Sequence, residues 1–343
     1  MPFFIFCLMY SSHKHTQGGS MKKSIAVFAF CLMPFALCLF SSSGSAQQKI
    51  PAFGQDKIPS YFELDDYNHR YPETDTNVEM YMHSYKQSPV HSGSVKHGGW
   101  IEREVLFPGD PTNPSRPGAV LKYIKAYNHG RLDPDSYTQK TKNDKEQVFF
   151  YITKGVGRVE AGGKKADLSE GTGVFIPAGL EYQFFNTCKE HYLEAVIVAE
   201  DIPDGFEPLK EMKTGSYKDH MPGAGMHWAH IGRGIVDGVK FANPMGIAVV
   251  SVDAFDVAQP HLHGPECEEI WYQLKGKSLL IFGNRLFYQD EGTAFLIPPN
   301  FAVPHASINH TDEPMQWLYL GNRHDERDTR YMKSHIKGWN WEK

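Results

Sequence analysis

The chain carries one set of landmarks twice at a fixed interval, and that repetition narrows the folds open to it. Gly155, Gly171 and Pro177 recur as Gly276, Gly292 and Pro298, each 121 residues later. The text around them agrees: Glu170-Gly171-Thr172-Gly173-Val174-Phe175-Ile176-Pro177 stands against Glu291-Gly292-Thr293-Ala294-Phe295-Leu296-Ile297-Pro298. Three landmarks in constant register mark a duplication. The repeated unit consists of short runs rich in β-branched and aromatic residues, at 119–124, 148–152, 157–160, 173–177 and 193–198, resuming from 246 to 320. Glycine or charged turns separate them. Such spacing predicts an all-β protein of two tandem sandwich or barrel units. Its 31 glycines and 22 prolines suit a chain with that many turns.

The remainder divides around the two units. Met21 is followed by Lys22 and Lys23, an apolar run over 25–40, and small residues over 41–46. A positive start, an apolar stretch and a cleavage site at Gly44-Ser45-Ala46 form the pattern of a secretory signal. On this reading 21–46 is a signal peptide and 1–20 an over-extended start. The mature protein begins near Gln47 and is exported, to the periplasm or beyond the cell. The apolar run is short for a membrane span, so none is expected in the mature form. Residues 47–100 form an N-terminal extension, 101–201 the first barrel, 202–240 a linker, 241–322 the second barrel and 323–343 a tail.

Loss of 1–46 removes Lys14, Lys22 and Lys23 and no acid, moving the formal charge from −5 to −8. An acidic exported protein is poorly suited to nucleic acid or anionic membrane, which leaves a small molecule as the expected partner. Of five cysteines, Cys7, Cys31 and Cys38 leave with the leader. Cys188 and Cys267 alone are no disulfide framework.

Chemistry concentrates in the second unit. His261 and His263 are one residue apart, and alternate side chains of a strand share a face. The acids Glu268 and Glu269 follow, and a strand-like run then ends at Gly276. Downstream come Gly292, Pro298, Asn300, His305 and Asn309. Neutral imidazoles with a carboxylate suit a first-row divalent metal.

Together these residues resemble the two motifs of the cupin superfamily. Its first motif carries HxH, then a glutamate with a glycine six residues beyond. Its second carries a glycine, five residues, P-x-G, then a histidine and an asparagine. The resemblance covers roughly 118–200 and 246–321, and it implies jelly-roll barrels. It also implies one divalent transition metal (Fe, Mn, Ni, Cu, Co or Zn) held by His261, His263, His305 and a glutamate. Counting back from Gly276 selects Glu269, and counting forward from His263 selects Glu268. Strand register is rigid whereas loops absorb insertions, so Glu269 is preferred and Glu268 stays as the alternative. The chain departs from the pattern at Asn300, where glycine is usual, and by two extra residues before His305.

The first unit lacks these ligands. By the 121-residue shift, Val148 stands for Glu269, and Lys140 and Lys142 for the two histidines. Tyr182 and Asn186 take the places of the motif histidine and asparagine. That barrel is expected to bind no metal and to serve structure or an interface; a pocket using Tyr182 and Gln183 is the alternative. In the second unit Trp271 and Gln273 share the strand parity of Glu269. Trp271 reads equally as core, whereas Gln273 is costly to bury without a partner and is a candidate substrate contact. The glutamate that is not a ligand, Glu268 on the preferred count, is a candidate general base. His227 and His230 in the linker read first as surface or packing histidines, with a place at the site as the alternative, and Cys267 is a soft donor that the motif does not require. Relatives of this kind include dioxygenases, isomerases, decarboxylases and lyases. The resemblance therefore implies a metalloenzyme for a small oxygen-rich substrate such as a sugar acid, a carboxylate or a phenolic. A non-catalytic, metal-stabilised carbohydrate- or ligand-binding bicupin is the alternative, since one fold hosts many functions. A homodimer through barrel faces is compatible with the family pattern.

Overall fold

The computed structural model describes residues 77–90, 97–224, 229–243, 245–263, 267–283, 285–299, 303–323 and 329–331. The expected signal segment, His227 and Asn300 lie outside the described residues. Among the described residues every extended element is a β-strand, joined by short 3-10 turns, with no α-helix.

Each half is a two-sheet jelly roll. In the first, a seven-stranded sheet runs in the order Lys213–Ser216, Thr172–Ile176, Glu146–Lys154, Leu193–Asp201, Ala126–Leu132, Ile101–Pro108, Ala119–Leu121. It faces a three-stranded sheet of Lys164–Leu168, Gly157–Ala161 and Tyr182–Asn186. In the second half, Met82–Ser84, Thr293–Leu296, Cys267–Lys275, Met315–Arg323, Met245–Val252, Ile231–Gly234 and Gly223–Ala224 form the large sheet. The small one contains Arg285–Gln289, Ser278–Phe282, His305–Asn309, His261–His263 and Thr329–Tyr331.

Burial follows from this layering. Glu146–Lys154 is buried over its first seven residues, because one face fills its own barrel and the other meets the second barrel. Strands at the outer rim, such as Lys164–Leu168, keep an exposed face. One apolar core lies inside the first barrel, around Trp100, Phe150, Phe184 and Ile197. The other runs from the interior of the second barrel into the seam, where Tyr127, Phe149 and Tyr151 join Ile270, Tyr272 and Leu318.

Within the segments expected to be an extension and a linker, several of the described residues form strands of the sheets. Met82–Ser84 precedes the first barrel in sequence but pairs with Thr293–Leu296 of the second. Lys213–Ser216 precedes the second barrel but pairs with Thr172–Ile176 of the first. Each barrel therefore gives its leading strand to the other. The two arms end alike, as Ser84-Tyr85-Lys86 and Ser216-Tyr217-Lys218. Tyr85 N donates to Gly292 O at 3.3 Å, and Tyr217 N to Gly171 O at 3.4 Å. This explains two of the repeated glycines. Both have positive φ, and a Cβ at Gly292 or Gly171 would lie 2.3 or 2.7 Å from the tyrosine ring above it.

The motif asparagines do equivalent structural work in both halves. Asn186 Nδ2 donates to the carbonyls of Leu132, Asp133 and His191, at 3.0, 2.9 and 2.8 Å. Asn309 Nδ2 donates to those of Val252, Asp253 and Glu313, at 3.2, 2.9 and 2.8 Å. Each locks two turns together, which a barrel requires whether or not it holds a metal.

Candidate metal centre

Two strands of the small sheet and one of the large sheet converge inside the second barrel. His261 lies directly opposite His305 across the antiparallel pair, and His263 follows on the same face. Cys267–Lys275 crosses on the opposite sheet and supplies Glu269 from its inward face. One ligand atom from each of His261, His263, Glu269 and His305 lies within 4.8 Å of the others. All four side chains are buried, none more than 2% exposed. Among the described residues this is the group of His, Cys, Asp and Glu side chains that could hold a metal ion.

The donor set fits an ion. Ligands at about 2.0–2.2 Å from a metal can be no more than about 4.4 Å apart, so small side-chain movements close the shell. His263 Nε2 is 3.1 Å from Glu269 Oε2. The His261 and His305 ring centroids are 4.0 Å apart. His261 Nδ1 lies 3.0 Å from the carbonyl of Gln259. A carbonyl only accepts, so Nδ1 carries the proton and the lone pair falls on Nε2, toward the cluster. Trp271 Nε1 donates to Glu269 Oε1 at 2.7 Å, holding the carboxylate with Oε2 toward His263. Below the cluster Trp271 stacks on Trp317 at 4.7 Å, and His230 meets both rings edge-on. His230 is therefore one ring removed from the cluster, in a packing position.

Strand parity separates the two glutamates. Glu268 turns out of the barrel into the seam, where Oε1 accepts from Lys122 N at 2.8 Å. Burial pushes its carboxyl up to about 7, against the opposing pull of hydrogen bonds from the Lys122 and Tyr123 amides. A general-base role for Glu268 at this cluster is thus corrected by geometry, since its carboxyl faces the other barrel. Gln273 shares the face of Glu269 but lies four residues on, roughly 13 Å along the strand. Its Nε2 donates to the carbonyl of Lys275 at 3.0 Å, so its amide serves the turn before Gly276. A substrate contact by Gln273 at the cluster is corrected for that reason. Cys267 falls where its side chain lies outside the described residues.

In the first barrel the equivalent positions hold other chemistry. Thr141 pairs with Tyr182 as His261 pairs with His305. The residues standing for the histidines are therefore Thr141 and Asn143, one place away from the expected Lys140 and Lys142. Those lysines are exposed and pair with Glu181 and Asp144, because a loop absorbed the single-residue difference. Val148 replaces Glu269, and Tyr182 packs against Phe150 and Phe184. Gln183 donates to the carbonyl of Thr138 at 2.6 Å.

A cupin-domain family model matches residues 128–198 and 248–321, one segment in each barrel. Both halves thus carry a cupin domain, as in a bicupin. Solved structures agree with the bicupin architecture. The Lactobacillus farciminis oxalate decarboxylase formate complex has a TM-score of 0.54 at 17% identity, covering 76% of this chain and 90% of that one. A mutant of Bacillus subtilis oxalate decarboxylase has a TM-score of 0.52 at 17% identity, covering 73% and 79%. A putative glyoxylate induced protein from Pseudomonas aeruginosa has a TM-score of 0.50 at 17% identity, covering 60% and 77%. At such identity the likeness is one of fold. No curated protein sequence matches this bicupin.

One buried group near the cluster escaped the sequence reading. Gln259 is 1% exposed, and neither atom of its side-chain amide has a hydrogen-bond partner among the described residues. The signal was its position two residues before His261, but no motif points to it.

Proposed function

We propose that this bicupin is an exported metalloenzyme that acts on a small carboxylate or similarly oxygen-rich molecule at a single site in the second barrel. The observation that carries the reading is the buried convergence of His261, His263, Glu269 and His305 on one point. When bound there, a divalent transition metal would supply Lewis acidity toward a substrate oxygen or a site for dioxygen. The chain's own residues do the rest. The Gln259 carbonyl fixes the His261 tautomer, and the Trp271 indole orients the Glu269 carboxylate. Burial excludes bulk water, which strengthens every polar contact within. The amide of Gln259 offers a donor and an acceptor that the fold leaves unused, suited to a substrate oxygen. The fold likeness to oxalate decarboxylases makes short carboxylic acids the first substrates to test.

The test has two arms. The purified protein, analysed for metals, should carry close to one transition-metal ion per chain, and His261→Ala combined with His263→Ala should carry none. A panel of short dicarboxylates, sugar acids and phenolics is then followed by carbon dioxide release and oxygen uptake. Turnover that disappears in the double variant supports an enzyme. A metal-bearing protein that binds but converts none of the panel favours the non-catalytic ligand-binding alternative. A metal-free wild type refutes the site.

A further inference from the structure

Because the halves repeat, the seam between the barrels is made of two equivalent sets of residues, and their chemistry differs. Strand register gives the equivalence. Val196 lies opposite Tyr151 and His129, as Leu318 lies opposite Tyr272 and Val249. Glu194 lies opposite Lys154, as Gln316 lies opposite Lys275. One set is therefore Tyr151, Tyr217, Val249 and Gln316. The other is Tyr272, Tyr85, His129 and Glu194. Val249 is fully buried, so a valine is enough to close the seam.

At the other set the buried position is a histidine. His129 Nδ1 lies 3.2 Å from the Tyr272 hydroxyl, and Nε2 lies 3.2 Å from Glu194 Oε2. Its ring stacks on Tyr85 with centroids 3.9 Å apart and an angle of 10° between the planes. The hydrogen bond from His129 also holds the Glu194 carboxyl below its ordinary range. A polar network at a place where valine suffices costs desolvation, and packing does not account for it. Beside it lies a cavity of about 300 Å³, at the lower end of the range for small-ligand sites. One side-chain group lining it, Thr153 Oγ1, has no hydrogen-bond partner among the described residues. Its charged lining balances, Lys86 and Lys154 against Glu194 and Glu291.

We propose that this seam cleft binds a neutral, hydroxyl-rich molecule of about monosaccharide size. A hydroxyl both donates and accepts, so one ligand can donate to the Glu194 carboxylate while accepting from Thr153 and a lysine. Balanced lining charge gives no net attraction for an acid or an amine. The site is separate from the metal centre: Tyr272 faces out of the barrel that holds Glu269, and Gln273 lies at the far end of its strand.

The full-length protein is titrated with glucose, galactose, ribose and inositol, and in parallel with glucuronate and glucosamine, followed by saturation-transfer NMR. At least one neutral probe should bind saturably. His129→Val with Glu194→Gln installs the pair that the other seam already carries, so that variant should fold, keep its metal and bind about tenfold more weakly or worse. Thr153→Leu copies the equivalent Leu274, narrows the cleft from its rim, and should weaken binding independently. Binding should persist in His261→Ala with His263→Ala, whatever becomes of the metal-centre reading. The proposal is overturned if no neutral probe saturates or if the charged probes bind in their place. It is equally overturned if both seam variants bind as wild type, or if the histidine double variant abolishes binding and so assigns the sugar to the metal centre.

Discussion

Replacing Trp271 with phenylalanine isolates what the indole does for the metal centre. The ring is buried and stacks on Trp317, so Trp271→Phe keeps an aromatic in the core. It deletes the 2.7 Å hydrogen bond from Nε1 to Glu269 Oε1. A hydrogen bond to a charged acceptor is worth about 1.5–3 kcal/mol, or about 10- to 100-fold in an equilibrium constant. Outer partners of metal ligands commonly contribute on that scale. The lost ring volume costs about 2 kcal/mol of stability with or without metal. Trp317→Phe is the control. It opens a similar gap one layer further down, touches no ligand, and gives up no hydrogen bond, since Trp317 Nε1 has no partner among the described residues. Metal affinity is read by competition with a chromogenic chelator, and stability by urea unfolding of the metal-free proteins. Both variants should lose similar stability, while only Trp271→Phe should lose metal affinity. Equal affinities, or an equal loss in both, would refute the role given to the indole.

Three further outcomes follow from the same contacts. Glu200, 1% exposed, accepts from Gln147 Nε2, Ala242 N, Asn243 N and Asn243 Nδ2 at 2.6, 2.7, 3.1 and 2.9 Å. Glu200→Ala should cost at least about 3 kcal/mol in urea unfolding, because the amide donors of Ala242 and Asn243 lose their buried acceptor at about 1–3 kcal/mol each. Asn186→Ala and Asn309→Ala should each cost about 2–3 kcal/mol, with metal content unchanged in both, which checks that the motif asparagine braces turns in either barrel. The Glu194 carboxyl sits below its ordinary value of 4.5, chiefly through the His129 hydrogen bond. Its contribution to stability is present above that value and lost as pH falls through the lower folded one. Glu194→Gln should therefore flatten the fall of the thermal midpoint below about pH 4.5 relative to wild type; parallel curves would contradict it.

Much of this was legible in the sequence, for reasons specific to each part. Gly171 and Gly292 showed the duplication because a ring lies where their Cβ would be, so neither arm tolerates a side chain there. The preference for Glu269 over Glu268 rested on strand parity, a backbone property that side-chain chemistry does not override. Parity did not show how far along its strand Gln273 lies, nor that its amide bonds the next turn. The arms were less visible. Ser84-Tyr85-Lys86 and Ser216-Tyr217-Lys218 are 132 residues apart, outside the 121-residue register, and three residues make a weak repeat. Glu200 and His129 were invisible as partners, because contacts between distant strands leave no local pattern.

The exchanged arms tie the order of synthesis to the order of completion. Met82–Ser84 emerges before either barrel, yet its partner Thr293–Leu296 is more than 200 residues away. The first barrel is finished by Lys213–Ser216 soon after its own strands, whereas the second has to recover a strand made long before. A fragment starting after residue 90 would leave the edge of Thr293–Leu296 bare, with unpaired amides and carbonyls facing solvent. That open edge is a docking template for the same arm of another molecule, so truncation should yield swapped or aggregated species rather than an isolated second barrel.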